Sequence, residues 1–75
     1  MPIKRSNPLL RTVGARLRKA RRARGISQES LALAANLDRS FVSGLERGEF
    51  NVSLLALAKL ARVLGVTLGA LVEGE

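Results

Sequence analysis

The stretch Ile26-Ser-Gln-Glu-Ser-Leu-Ala-Leu-Ala-Ala-Asn-Leu-Asp-Arg-Ser-Phe-Val-Ser-Gly-Leu-Glu-Arg-Gly48 reads as two short helices joined by a tight turn. Ser27 suits an N-cap, because its hydroxyl can accept from an amide hydrogen that the first turn leaves unpaired. Glu29 then sits near the positive end of the helix dipole. Leu31, Ala32, Ala34 and Ala35 are expected to face inward. Asn36 falls where the first helix must end, and asparagine tolerates the left-handed conformation such a turn requires. Leu37 is an apolar plug in the turn, and Asp38 is the next N-cap. The second helix is expected over Arg39 to Arg47, stopped by Gly48.

Val42 and Leu45 lie three apart on that second helix and face inward, with Phe41 beside them. Arg39, Ser40, Ser43, Gly44 and Arg47 share the opposite stripe. This stripe is small in the middle and basic at both ends, a face shaped for close approach to a polyanion. Composition points the same way. The formal net charge is +7, and no acidic residue precedes Glu29. Lys4, Arg5, Arg11, Arg16, Arg18, Lys19, Arg21, Arg22 and Arg24 all lie in that leading segment. A chain so biased is expected to meet a nucleic acid.

The run Leu37-Asp-Arg-Ser-Phe-Val-Ser-Gly-Leu-Glu-Arg-Gly48, followed by Asn51-Val-Ser-Leu-Leu55, resembles the lambda-repressor-like (Cro/repressor) helix-turn-helix family. Within it, the wording is most similar to controller proteins of restriction–modification systems. The resemblance spans roughly residues 9 to 72. It implies a compact all-α domain of five helices and a dimeric, sequence-specific regulator of transcription that binds a palindromic operator in double-stranded DNA. It also implies that Arg39 lies nearest the base edges. Ser40 and Ser43 suit base edges, phosphates or bridging waters, and Gly44, costly inside a helix, suggests close approach to DNA or to another helix; with Arg39 these form the expected base-reading face. A phosphate contact or a local pair with Asp38 remains the alternative for Arg39. Gln28 matches a glutamine that binds a phosphate at a helix N-terminus. Arg47, Asn51 and Arg18 are the other expected phosphate contacts. Arg21 matches an arginine that pairs with a glutamate late in the recognition helix, here Glu46. Relatives often carry a cation just before the asparagine matched by Asn51. This chain has Phe50 there, which is expected to pack against the domain or a second subunit.

Residues 1–8 contain both prolines and read as a flexible basic arm, leaving 9–75 as the DNA-binding domain. A first helix is expected from about Leu9 to Arg24, with Leu10, Val13, Leu17 and Ala20 buried and Gly25 at its end. Ser53 caps a fourth helix whose apolar side is Leu54, Leu57, Leu60, Ala61 and Leu64, closed by Gly65. Thr67 caps a short fifth helix over Leu68 to Val72. Core packing accounts for part of its apolar content, and a dimer seam of Leu68, Leu71 and Val72, with Phe50, is expected to account for the rest.

The 75 residues contain no cysteine and no histidine, and the few carboxylates form no evident pair. Disulfides and thiolate metal sites are excluded, and an enzyme has little to be built from. No cofactor, metal or small-molecule ligand is implied. With no apolar run near the roughly 20 residues of a membrane span and no signal-like N-terminus, a cytoplasmic protein is expected. The competing function is an antitoxin-type DNA-binding protein that also holds a protein partner. The short chain after Val72 leaves little to bind one.

Overall fold

The computed structural model describes residues 7–74, which form five helices in the order α1 (Pro8–Arg24), α2 (Gln28–Ala35), α3 (Arg39–Glu46), α4 (Leu54–Leu64) and α5 (Leu68–Val72). Residues 7 and 8, expected in the arm, belong to the start of α1, and the rest of that expected arm lies outside the described residues. Asn7 is the N-cap of α1 and accepts from the amides of Leu9 and Leu10, while Pro8 occupies the first turn. Proline is favoured there because its missing N–H is one the helix would leave unpaired. Lys4 and Arg5 lie outside the described residues.

Local chemistry sets the other boundaries. Ser27, Ser53 and Thr67 each accept from the backbone amide three residues on, capping α2, α4 and α5. Asp38 stands at the N-cap position of α3 but makes no side-chain cap bond. Asn36 ends α2 with φ 56°, the left-handed conformation the turn demands. Helix α3 closes at Glu46, one residue earlier than expected, with Arg47 as its C-cap. At Gly48 (φ 74°) a Cβ would stand 2.7 Å from the Arg11 Cα, so backbone conformation and space both require glycine.

Leu17, Leu31, Val42, Leu60 and Leu71 are the largest fully enclosed side chains, one from each helix. Around them pack Val13, Ala32, Ala35, Leu45, Leu57, Ala61 and Leu64, and Ala20 packs half-buried at the edge. Three expectations fail here, each for a reason of neighbourhood. Ala34 is exposed, because α2 buries the face of Leu31, Ala32 and Ala35 and leaves Ala34 on its flank. Leu54 shares the face of Leu57 but lies in the first turn of α4, where no described residue covers it, and is 68% exposed. Leu71 belongs to the core of its own chain, 2% exposed, and is not free to form a seam between subunits.

Two arginines of α1 close the C-terminal ends of other helices. The Arg16 Nη1 donates to the carbonyl of Val72 at 2.6 Å and to that of Leu71 at 3.3 Å. The Arg24 Nη1 reaches the carbonyl of Leu64 at 3.4 Å. Each sets a cation at the negative end of a helix, where the dipole and unpaired carbonyls favour it.

Candidate nucleic-acid interface

Helix α3 is presented by a buried polar cluster. The Glu46 side chain is 3% exposed and would be costly to bury alone. Arg21 donates to both its oxygens, from Nε to Oε2 at 2.6 Å and from Nη2 to Oε1 at 3.1 Å. The third guanidinium nitrogen, Nη1, donates to the carbonyl of Ile26 at 2.9 Å. Gln28 completes the set by donating from Nε2 to Glu46 Oε1 at 3.0 Å. The expected Arg21–Glu46 bridge is therefore present, and it joins α1, α2 and α3 at one point. Hydrogen bonding to Glu46 holds the Arg21 pKa above the ordinary arginine value; burial opposes this and the carboxylate's charge adds to it. Among the described residues, no buried side-chain nitrogen or oxygen lacks a partner.

Beside this cluster α1 crosses α3 closely. A Cβ on Gly14 would collide with the carbonyl oxygen of Leu45 and stand 2.8 Å from that of Glu46. Nothing larger than hydrogen fits between the two backbones. Sequence reasoning passed over this residue, although a glycine inside a 17-residue helix is itself a signal, since it costs about 1 kcal/mol against alanine.

The stripe expected to meet DNA divides into three parts. Arg39 and Ser40, in the first turn of α3, are exposed and make no hydrogen bond or ion pair among the described residues; Arg39 does not pair with Asp38. Ser43, one turn on, is half-buried and accepts from Arg47 Nη1 at 2.6 Å. Gly44 departs from expectation: it is buried beneath the Phe50 ring, which a Cβ would strike, so it offers no reading surface. Phe50 in turn stacks on Phe41, with ring centroids 5.8 Å apart and planes 25° apart, yet remains 43% exposed. It packs against its own domain through the two residues Gly44 and Phe41.

The expected phosphate contacts also separate. Asn51 and Arg18 are exposed, as is Arg22, which flanks a shallow groove with Ala15, Arg18, Lys19 and Glu46. The Gln28 amide is not free-standing, since one of its two N–H groups is given to Glu46. Arg47 gives its charge to Glu49, from Nε to Oε2 at 2.8 Å and from Nη2 to Oε1 at 3.0 Å. These hydrogen bonds raise the Arg47 pKa, with the Glu49 charge adding to them. Sequence reasoning missed Glu49, an acid two residues from the arginine it holds.

Of the residues expected at a subunit seam, Leu68 is half-buried against the core and Val72 is 38% exposed. Leu54 and Leu55, at 68% and 77%, are more open than either. No helix among the described residues is long and apolar enough to cross a membrane.

A family model described as Helix-turn-helix matches residues 17–71. The immunity repressor protein of Bacillus phage phi105 is 41% identical over 64 residues, covering 85% of this chain. The chain spans less than half of that repressor, 44% of its length. Among solved structures, the restriction-modification controller protein C.AhdI from Aeromonas hydrophila superposes with a TM-score of 0.81 at 50% identity, covering 83% of this chain and 94% of that one. The master regulator for biofilm formation SinR, solved in complex with DNA, gives a TM-score of 0.75 at 33% identity, covering 79% of this chain and 95% of that one.

Proposed function

This chain belongs to the helix-turn-helix family, and on that premise we propose that it is a cytoplasmic, sequence-specific regulator of transcription that binds a palindromic operator in double-stranded DNA as a homodimer. The relatives it matches are named as repressors, regulators and control proteins, and the 50% identity with the controller C.AhdI supports the controller kind. One observation carries the reading. Arg39 and Ser40 stand unpaired among the described residues, on the first turn of a helix that Arg21, Glu46 and Gln28 tie to α1 and α2.

Helix α3 lies in the major groove with its N-terminal turn nearest the bases. Arg39 makes two parallel hydrogen bonds to guanine O6 and N7, while Ser40 contacts a base edge or phosphate beside it. The remaining Gln28 N–H and the N-terminus of α2 approach one phosphate. Asn51 and Arg18 hold the backbone on either side. Two such surfaces about 34 Å apart read half-sites one helical turn apart. The seam between subunits draws on Leu54, Leu55, Phe50, Val72 and the exposed edge of Leu68. A domain this small gains stability from covering such side chains.

Selection from a random DNA pool followed by footprinting tests the reading. A protected palindrome of two half-sites is expected, with log affinity falling steeply against log salt. Leu55→Lys should shift the sedimentation coefficient to that of a monomer and abolish protection of the paired half-sites. Protection of one asymmetric site by a monomer, or a flat salt response, sinks the proposal.

A further inference from the structure

The far end of α3 holds an arrangement that base reading by Arg39 does not use. Ser43 and Arg47 stand one turn apart on the same face, and Glu49 lies just beyond the helix. All three guanidinium nitrogens of Arg47 are engaged: two on the Glu49 carboxylate, and Nη1 on the Ser43 hydroxyl at 2.6 Å. Arginine offers a carboxylate and a phosphate the same planar fork. Here the carboxylate occupies the side of the fork that a phosphate would take. The exposed pair contributes little to folding, with 56% of the Arg47 side chain in water. Its effect falls on Ser43.

We infer that Arg47, held by Glu49, is a positioning residue for Ser43 and not a phosphate ligand, and that it makes Ser43 a hydrogen-bond donor to a base-edge acceptor. A serine hydroxyl normally donates or accepts, and so discriminates poorly between base edges. Accepting from a guanidinium fixes where the oxygen sits and occupies one of its lone pairs. It also polarises the O–H, strengthening it as a donor. The partner it fits is an acceptor in the major groove: guanine N7 or O6, adenine N7, or thymine O4. The cytosine amino group is disfavoured. Ser43 lies four residues after Arg39, so its base pair is a different one from the pair Arg39 reads.

This inference rests on the DNA-reading function proposed above, and two measurements keep their failures apart. In the free protein, the Arg47 Nε–Hε signal should be resolved from the bulk arginines by NMR and should collapse onto them in Glu49→Gln. On DNA, Arg47→Ala and Ser43→Ala should each flatten preference at the same base position by about tenfold. The double variant should lose no more than either alone. The slope of log affinity against log salt should not change in Arg47→Ala. Arg47→Lys, which keeps the charge and lacks the fork, should lose the same base preference while remaining folded by thermal melt. A slope reduced by about 0.9 with base preferences intact makes Arg47 a phosphate ligand and overturns the inference. So does an unresolved Arg47 signal in the free protein. A parent protein with no sequence preference overturns DNA reading and the role of Ser43 together, and leaves the resolved signal standing.

Discussion

Arginine at three positions of this chain does three different things, and the surroundings decide which. Arg21 is half-buried and paired with the buried Glu46, Arg47 is exposed and held by Glu49, and Arg39 is exposed with no partner among the described residues. Only the last has its full fork to offer DNA. Arg39→Ala should therefore relax discrimination at one base pair per half-site by about 1–3 kcal/mol, measured by competition between operators differing at that position. Glu46→Ala should act on the fold, because it leaves the partly buried Arg21 guanidinium and Gln28 amide without their carboxylate partner. The urea midpoint should fall by the equivalent of about 3–5 kcal/mol, the cost of breaking a buried pair from one side. The Arg21–Glu46 pairing was legible through family resemblance. Gln28 as a third member was not, since the resemblance assigns the amide at this helix start to a phosphate and spacing does not show that Glu46 lies beside it.

Helix boundaries were legible because caps are local: Ser27, Asn36, Ser53, Thr67 and Gly65 act within a turn of themselves. Which face of each helix is covered was less legible, because coverage depends on neighbours that spacing does not reveal. Ala34 and Leu54 fit an inward stripe and still stand in water, while Gly44 fits an outward stripe and lies under Phe50. The two glycines of the α3 packing behave differently when given a methyl group. At Gly14 the obstacle is backbone, so Gly14→Ala must push α1 and α3 apart. It should cost about 1–3 kcal/mol in thermal or urea unfolding and weaken operator binding as α3 shifts. At Gly44 the obstacle is the Phe50 ring, which can swing away. Gly44→Ala should lose the Phe41–Phe50 stacking, and adding Phe50→Ala should make the Gly44 substitution nearly neutral. A strictly additive pair of losses would show that the ring is not what Gly44 accommodates.

Across the whole molecule the +7 charge is not a uniform field for DNA, although composition alone presents it as one. Arg16 and Arg24 sit on the carbonyl ends of α5 and α4, and Arg21 and Arg47 are matched by carboxylates. Arg18, Arg22 and Arg39 are exposed and free of such ties among the described residues. Charge committed to helix ends stabilises the domain that presents α3; charge left on the surface displaces counterions from DNA. The two uses separate in experiment. Arg18→Ala should reduce the slope of log affinity against log salt by about 0.9, weakening all sequences alike and leaving the melting temperature in place. Arg16→Ala should do the reverse. It removes a charge-assisted cap, lowering stability by about 1 kcal/mol, and leaves the salt slope intact wherever the protein is still folded. If Arg16→Ala flattened the slope as Arg18→Ala does, the α5 carbonyls would not be holding that guanidinium in the complex. The DNA-facing surface would then extend around α1 to the opposite side of the domain.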